Sequence, residues 1–234
     1  MQTNILDHHP ETPTVTSFKF EKPPGFLYQP GQFINVELNI EQCDTRCNKR
    51  NFSLTSSPTD DFLMIATRHG VSRFKQTTEM ISKGAKINFT GPFGRFTLNE
   101  DERVGAVMLS GGIGITPLHS MIKYATYKKL TKSITLIYSN SVSDDIPFKS
   151  ELDEFAKLDK YFTANFTITD ESDTHWTGRV GRINENMVRE IVPNWQACEF
   201  YVCGPAPMVI AMKKFLVDMG VGVENLKSEL FTGY

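Results

Sequence analysis

The spacing of hydrophobic residues changes near the polar run 99–103, and this change constrains the fold more than any other feature of the sequence. Before the run, short segments alternate apolar and polar side chains, as 34–40 does without error, which is typical of half-buried strands. Pro-Gly and Gly-Pro pairs separate these segments. Strands are predicted at 15–20, 34–40, 62–67 and 87–90, with one helix capped by Ser72 and ended by Gly84. This pattern favours a small antiparallel β-barrel.

After the polar run, strand patterns alternate with helix patterns, the order that builds a parallel sheet with crossover helices. The predicted strands lie at 106–110, 134–139, 162–169, 200–203 and 226–231. The predicted helices lie at 117–128, 148–158, 185–192 and 207–219. We therefore predict two domains, an antiparallel β-barrel over 1–100 and a Rossmann-like α/β domain with a parallel sheet over 101–234.

Charge and composition exclude several classes of protein. The chain has 25 Lys and Arg against 27 Asp and Glu, so it lacks the positive field that attracts nucleic acid. Its N-terminus lacks a signal-peptide pattern, and the longest uncharged stretch, 104–122, is interrupted by four glycines and a proline. We expect a cytoplasmic protein without a membrane span. The spacing of Cys43 and Cys47 suits zinc, but no second ligand pair follows, so we expect free thiols and no metal site.

A glycine-rich segment follows the first predicted strand of the second half and opens a helix. Gly111, Gly112 and Gly114 permit a tight turn and a close approach to a pyrophosphate. Thr116 can cap the helix, and Pro117 suits its first position. The residues alone leave two interpretations open, a dinucleotide-binding loop and a turn whose glycines serve only packing.

A second strand-to-helix segment contains Cys203, Gly204 and Pro205. In open parallel sheets, ligands bind at the carboxyl ends of the strands, so this segment is predicted to end beside the glycine-rich one. Cys203 would then offer a small thiol to a flat ring. Its alternative role is that of an ordinary buried cysteine.

The first half offers a cation, an aromatic ring and hydroxyl groups close together at Arg50, Asn51, Phe52 and Ser53. An arginine suits a phosphate group, and Phe52 offers a stacking surface for a conjugated ring. A second candidate run, Gly70, Val71 and Ser72, begins the predicted helix with free amides. Each feature alone is also typical of ordinary surface or core residues.

Taken in order, these segments resemble the ferredoxin-NADP reductase superfamily, especially the flavin and nicotinamide module of flavohaemoglobins and oxygenase reductases. The resemblance covers nearly the whole chain. Its motifs are Pro30-Gly31-Gln32-Phe33, Arg50-Asn51-Phe52-Ser53, Gly70-Val71-Ser72, Gly91-Pro92-Phe93-Gly94-Arg95-Phe96, 111–117, Cys203-Gly204-Pro205 and Glu229-Leu230-Phe231.

The resemblance implies that the barrel binds FAD in preference to FMN, and that the second domain binds NADH or NADPH as hydride donor. It places Ser53, Cys203, Glu229 and Phe231 at the reacting rings. The flavin-binding residues it implies in the barrel are Arg50, Asn51, Phe52, Ser53, Arg68, His69, Gly70, Val71 and Ser72. In the second domain it assigns nicotinamide-dinucleotide binding to Gly111, Gly112, Gly114, Thr116, Pro117, Cys203, Gly204 and Pro205.

Two departures from the family pattern affect the flavin site. Phe52 stands where the family usually has tyrosine, so stacking can persist but a hydroxyl contact is lost. Tyr234 is a second aromatic residue near the C-terminus, so either Phe231 or Tyr234 could cover the flavin, and we favour Phe231.

The segment after the second parallel strand bears on the choice of nicotinamide. Residues 139–145 contain no Lys or Arg but include Asp144 and Asp145, which would repel a 2′-phosphate and can accept from a ribose hydroxyl. We therefore predict NADH over NADPH. Arg179 or Arg182 could reach the site from elsewhere in the fold.

The sequence leaves the electron acceptor open. We predict a flavoprotein reductase that serves a separate electron-acceptor protein, such as a ferredoxin or an oxygenase component. The alternatives are a flavin reductase that uses flavin as a substrate and an electron-transfer subunit active only within a larger complex. Oligomeric state is not set by these patterns.

Overall fold

The computed structural model describes residues 1–40 and 48–231, and its first half forms one antiparallel, barrel-like sheet. The strands are β1 (Gln2–Thr12), β2 (Val15–Glu21), β3 (Phe33–Glu37), β4 (Lys49–Ser53), β5 (Phe62–Arg68) and β6 (Lys86–Phe93). They lie in the order β4-β3-β6-β1-β2-β5, and every pair is antiparallel. The predicted antiparallel class is confirmed.

Alternation along the strands decides which side chains enter the barrel core. Ile34 and Val36 of β3 are buried, whereas Asn35 between them is only partly buried. The predicted strand 34–40 is too long, because β3 ends at Glu37. The helix α1 (Arg73–Glu79) is capped by Ser72 as predicted but ends before Gly84.

Three strands of the structure were not predicted. β1 carries the polar sequence Gln-Thr-Asn-Ile-Leu-Asp-His-His-Pro-Glu-Thr, which lacks a clear period of two. Backbone pairing with β2 and β6 holds β1 in the sheet, and only the tertiary fold supplies those partners. β4 is similarly polar, and β10 has only two residues.

The second half forms a parallel sheet with helices, which confirms the predicted α/β class. The strands are β7 (Gly105–Gly111), β8 (Ile134–Asn140), β9 (Phe162–Ile168), β10 (Arg179–Val180), β11 (Cys198–Pro205) and β12 (Leu226–Phe231). The helices are α2 (Ile115–Lys128), α3 (Lys149–Leu158), α4 (Glu185–Ile191) and α5 (Ala206–Asp218). The strands lie in the order β10-β9-β8-β7-β11-β12. From β7 the chain adds strands first on one side of the sheet, up to β10, and then on the other side, so the order of the strands reverses between β7 and β11. Ligands bind at such a reversal, beyond the carboxyl ends of the strands.

The two halves share one hydrophobic cluster. Met64 and Phe96 of the first half are buried in the same cluster as Leu118 and Met121 of α2. A Cβ atom on Gly31 would overlap the end of the Met121 side chain, so the first half approaches α2 closely here. The first strand of the second sheet begins at Gly105, after the last strand of the first ended at Phe93. The boundary at 100/101 itself stays a prediction.

Buried polar contacts also join the halves. His119 of α2 is fully buried, with Nδ1 2.9 Å from the Thr55 carbonyl oxygen and Nε2 2.8 Å from Glu151 Oε2. In the next position, Ser120 Oγ donates to the carbonyl of Ser56 at 2.5 Å. These contacts attach α2 to the loop that follows β4.

No helix within the described ranges is long and apolar enough to cross a membrane. The same ranges contain no group of three acidic, histidine or cysteine side chains suited to a metal ion. Cys43 and Cys47 lie outside the described residues, whereas Cys198 and Cys203 are buried free thiols. The cytoplasmic location stays a prediction.

The contact between His119 and Glu151 predicts a specific acid sensitivity. Burial raises the pKa of the Glu151 carboxyl, but the hydrogen bond to His119 and the charges of His119 and Lys123 outweigh burial and lower it from 4.5 to about 2. A lowered pKa in the folded state gives stability that is present above pH 4.5 and is lost as pH falls toward 2.

The slope of the free energy of unfolding against pH reports how many protons are bound on unfolding. We therefore expect Glu151→Gln to reduce this slope by the equivalent of about one proton in this pH range. Urea unfolding at a series of pH values measures this slope. Glu154→Gln on the same helix is the control, because Glu154 is exposed. Equal slopes in the two variants would contradict the assignment.

Candidate functional site

A cavity of about 390 Å³ lies between the two sheets and is lined by both of them. Strands β3, β4 and β5 and helix α1 form one side, and the start of α2 and the end of β12 form the other. The lining residues are Phe33, Asn35, Lys49, Arg50, Asn51, Phe52, Ser53, Ala66, Thr67, Arg68, Phe74, Lys75, Ile113, Thr116, Glu229, Leu230 and Phe231.

The structure brings eight of the predicted site residues together in this cavity. They are Arg50, Asn51, Phe52, Ser53, Arg68, Thr116, Glu229 and Phe231. The other predicted residues do not line it: His69, Gly70, Val71, Ser72, Gly111, Gly112, Gly114, Pro117, Cys203, Gly204 and Pro205. Most of this second group belongs to the two loops at the carboxyl edge of the parallel sheet.

Several lining residues were missed by the sequence analysis. Phe33 lies opposite Ser53, and Asn35 lies opposite Asn51, in the register of β3 and β4. Side chains opposite each other in a sheet share a face, so the period of two along β3 could have found both residues. No comparable pattern in the sequence pointed to four other lining residues, which are Lys49, Phe74, Lys75 and Leu230.

Cations gather on the barrel side of the cavity. The Arg50 guanidinium lies 5.5 Å from the centre of the Phe74 ring, and Lys75 and Arg68 line the same wall. Burial, together with the charges of Arg68 and Arg50, lowers the pKa of Lys75 against an opposing effect of Glu79. An anion in the cavity would relieve this repulsion.

The Phe52 side chain packs against Phe74, with ring centres 5.8 Å apart. Ser53, at the end of β4, is buried at 6% exposure but still reaches the cavity wall. An aromatic face and a hydroxyl therefore lie next to the cation cluster, as the spacing of residues 50–53 predicted.

The glycine loop of the second sheet packs tightly against the Cys203 loop. A Cβ atom on Gly114 would lie 2.5 Å from the backbone of both Cys203 and Gly204, so only glycine fits there. Gly112 adopts a positive φ of 52°, which glycine tolerates. These glycines therefore serve a close backbone approach as well as a turn.

The predicted cap and first turn of α2 are wrong. The helix begins at Ile115 after a 3-10 turn at Gly112–Gly114, so Thr116 and Pro117 are already its second and third residues. The Thr116 hydroxyl donates back to the Ile113 carbonyl at 3.2 Å. The N-cap, Gly114, offers no side chain, because the close approach to Cys203 excludes one.

Cys203 is fully buried beneath the loop. Burial raises the pKa of its thiol well above the ordinary value, and the neighbouring Glu229 charge adds to this effect. The thiol therefore stays protonated. In this structure Cys203 lies behind the cavity wall, opposite Glu229 in the register of β11 and β12.

Glu229 is a partly buried residue whose carboxyl group lines the cavity. Its Oε2 atom is buried and finds no hydrogen-bond partner among the described residues. Burial raises the pKa of the carboxyl from 4.5 to about 7. Phe231 lines the cavity two residues later, whereas Tyr234 lies outside the described residues.

Asp145 has partners that the sequence did not indicate. Its carboxylate accepts hydrogen bonds from Thr12 and Thr14 and forms an ion pair with Arg68 at 2.7 Å. Asp144 is the exposed carboxylate of the segment 139–145. The Arg179 guanidinium is paired with Glu190.

The comparisons with known proteins agree with this architecture. The family model described as an oxidoreductase NAD-binding domain matches residues 108–214. The NADH-cytochrome b5 reductase 1 of Mortierella alpina is 30% identical over 226 residues, covering 94% of this chain and 74% of that protein. The glycine betaine monooxygenase reductase subunit of Chromohalobacter salexigens is 28% identical over 228 residues, 94% of this chain. The chain spans only 61% of the length of that relative.

A solved structure has the same fold. The flavohem-like FAD/NAD-binding domain of nitric oxide dioxygenase from Vibrio cholerae superposes with a TM-score of 0.86 at 21% identity, covering 98% of each chain.

A barrel-like antiparallel sheet joined to a parallel α/β sheet, with a shared cavity, is the architecture of a class of NAD(P)H-dependent oxidoreductases, and this chain is one of them. More specifically, the chain belongs to the ferredoxin-NADP reductase superfamily. The solved ferredoxin NADP+ reductase of Neisseria gonorrhoeae, which holds bound FAD and NADP, superposes with a TM-score of 0.79 at 20% identity, covering 98% of each chain.

The raised pKa of Glu229 leads to a stability prediction. Because its folded-state pKa of about 7 exceeds the ordinary 4.5, the neutral carboxyl favours folding at low pH, and this contribution is lost as pH rises through 7. We expect Glu229→Gln to gain about 2–3 kcal/mol of unfolding free energy relative to the unsubstituted chain between pH 5 and about pH 8.

Urea unfolding of the flavin-free chain at both pH values measures this gain. The exposed Glu224, which precedes β12, provides the control variant Glu224→Gln. The same pH dependence in Glu229→Gln and in the unsubstituted chain would show that Glu229 ionises normally.

Proposed function

We propose that this chain is a flavoprotein reductase that takes hydride from NAD(P)H, with NADH favoured, onto FAD and passes electrons to a separate acceptor protein. The observation that carries the proposal is the cavity that both sheets line. One side of it presents cations and an aromatic face, and the other presents the start of α2 and a buried carboxyl.

The residues present fit a flavin dinucleotide. Arg50 and Lys75 concentrate positive charge that a pyrophosphate would neutralise. Phe52 offers a flat surface for a conjugated ring. The buried Glu229 Oε2 lacks a partner among the described residues, which is typical of a polar group that meets a ligand.

When bound, FAD accepts hydride and can release the electrons one at a time. In our proposal Arg50 holds the flavin phosphates, and Asn51, Phe52 and Ser53 contact the ring system and its side chain. His69, Gly70, Val71 and Ser72 border the phosphates beside α1.

The C-terminal end of β12 would complete the flavin site. Phe231 covers the ring, and Ser53 donates a hydrogen bond from the opposite wall. Glu229, whose pKa lies near 7, can hold or release a proton close to neutral pH.

The nicotinamide dinucleotide would bind at the carboxyl edge of the parallel sheet. Gly112 leaves open space for a close approach to a ligand, whereas the positions of a Cβ atom on Gly111 and Gly114 are filled by Met208 and by the backbone of Cys203 and Gly204. The N-terminal turn of the 14-residue helix α2, which includes Thr116 and Pro117, would direct its positive dipole end at the anion, and Pro117 has no N–H to donate. Cys203, Gly204 and Pro205 form the adjoining loop. Ser110, at the end of β7, has a buried hydroxyl with no partner in the described part of the chain.

Three observations support NADH over NADPH. Residues 139–145 contain no cation, and Asp144 is exposed there. Arg179, a cation that could have reached a 2′-phosphate, is held by Glu190. A 2′-phosphate beside Asp144 would therefore meet a like charge, which disfavours NADPH.

The acceptor is proposed by class only. A ferredoxin or an oxygenase component fits the chain, and the similarity to a monooxygenase reductase subunit supports the second. We also propose a cytoplasmic location. The alternatives, a flavin reductase that uses diffusing flavin and a subunit active only in a larger complex, differ in whether FAD stays bound and whether the chain alone oxidises NADH.

The proposed function is tested by steady-state oxidation of NADH and NADPH with ferricyanide as a one-electron acceptor, on chain loaded with FAD. We expect kcat/KM for NADH to exceed that for NADPH by about tenfold or more. Asp144→Lys is expected to narrow this ratio, because it places a cation where the 2′-phosphate would lie.

The control for this experiment is Asp61→Lys, an equal charge change on the exposed surface of the barrel. Equal kcat/KM values for the two nucleotides would overturn the NADH preference. Turnover that requires a further protein would favour a subunit active only in a larger complex. Turnover that requires free flavin in excess would favour a flavin reductase that uses diffusing flavin.

A further inference from the structure

Arg68 belongs to the first sheet but lies against the second. It is the last residue of β5, and its Nη1 atom is 2.7 Å from Asp145 Oδ2 in the turn after β8. Its Nη2 atom is 3.8 Å from the point that a Cβ atom would occupy on Gly112. The guanidinium therefore lies at the carboxyl ends of β7 and β8, the edge where parallel sheets bind ligands.

The Asp145 carboxylate fixes this guanidinium from several directions. Oδ1 accepts from Thr12 Oγ1 at 2.5 Å and from Thr14 Oγ1 at 2.7 Å. Arg68 Nη1 also donates to Thr14 Oγ1. Thr12 and Thr14 belong to the β1–β2 hairpin, so one carboxylate connects that hairpin, β5 and the turn after β8.

The carboxylate remains charged in this setting. Burial raises the pKa of Asp145, but the hydrogen bonds from Thr12, Arg68 and Thr14 outweigh burial and lower it. The Asp145 side chain is 13% exposed and the Arg68 side chain 30%, so Arg68 retains an open side. That open side is part of the cavity wall.

A negative charge at the edge where a dinucleotide would bind is unexpected if the charge acts only directly on the dinucleotide. A carboxylate near a pyrophosphate repels it, so Asp145 by itself would weaken dinucleotide binding. The geometry gives it another effect, because an arginine anchored on one nitrogen can direct its remaining donors to a second anion.

We propose that Asp145 is a positioning residue that acts through Arg68, holding this guanidinium of the first domain against the glycine loop so that it binds the pyrophosphate of the incoming dinucleotide. The inference rests on the proposed function, since it requires that a dinucleotide bind beside Gly112. It assigns to Asp145 a role distinct from repulsion of a 2′-phosphate.

The test measures the affinity of the FAD-loaded chain for ADP-ribose by calorimetry, which requires no hydride transfer. Asp145→Asn keeps the shape of the side chain but removes its charge. We expect it to weaken ADP-ribose binding about tenfold, the usual effect of losing one oriented hydrogen bond to a charged group. If Asp145 only repelled the ligand, Asp145→Asn would tighten ADP-ribose binding. The positioning role and simple repulsion therefore predict opposite changes in affinity.

A double-mutant cycle shows whether Arg68 mediates the effect. Arg68→Gln is expected to weaken ADP-ribose binding by a similar factor, and adding Asp145→Asn to it should cause no further weakening. Asp153→Asn is the control, because it removes an aspartate paired with Lys149 on the exposed face of α3. Its affinity should stay within about twofold of the unsubstituted chain.

The outcomes separate this inference from the proposed function. If the unsubstituted chain does not bind ADP-ribose, the proposed dinucleotide site and this inference both fail. If it binds, and Asp145→Asn binds as tightly or more tightly, only the role of Asp145 is overturned. Additive losses in the double variant would also overturn it.

Asp145→Asn could unfold the hairpin contact, which circular dichroism would reveal. In that case Arg68→Lys carries the test, because lysine keeps the charge but loses the forked donor geometry. About tenfold weaker binding by Arg68→Lys supports the inference, and affinity within about twofold of the unsubstituted chain overturns it.

Discussion

The attachment of α2 to the loop after β4 is the interaction on which the rest of the site depends. Ser120 donates to the Ser56 carbonyl at 2.5 Å, and the fully buried His119 contacts the Thr55 carbonyl. Ser53 ends β4 just before this loop, and Thr116 lies one helical turn before Ser120. Because both cavity walls are fixed by these few residues, a small shift at this contact would change the distance between the flavin and nicotinamide sides. Orientation is what the protein must supply when the cofactors carry the chemistry.

Charge is distributed unevenly around the cavity. Arg50 and Lys75 line the barrel side of the cavity, and Arg68 forms an ion pair with Asp145. On the opposite side Glu229 is partly buried, and the loss of solvation raises the pKa of its carboxyl to about 7.

The period of hydrophobic residues was enough to predict both sheet classes and most strands. It failed for β1, whose side chains are mainly polar and whose place depends on pairing with β2 and β6. It also misplaced the start of α2, because the close approach of Gly114 to Cys203 excludes a capping side chain and lets the helix begin at Ile115. Such steric limits arise between segments about 90 residues apart in the chain, and a local pattern does not contain them.

The same reasoning explains which site residues could be found. Arg50, Phe52 and Ser53 are adjacent in sequence and share the cavity wall, so their chemistry was visible together. The links between Asp145, Thr12 and Arg68 join three distant segments and required the structure. Cys203 lies in β11 beside the glycine-rich segment, as predicted, but its complete burial behind Gly114 follows from packing alone.

The central claim is that one cavity between the sheets brings a bound flavin to the dinucleotide edge. Anaerobic titration of the FAD-loaded chain with NADH, followed by visible absorption, tests it most directly. The account predicts a yellow protein with one FAD per chain whose flavin absorbance is bleached by one equivalent of NADH. A chain that stays colourless after FAD is supplied, or a bound flavin that NADH does not bleach, would contradict it.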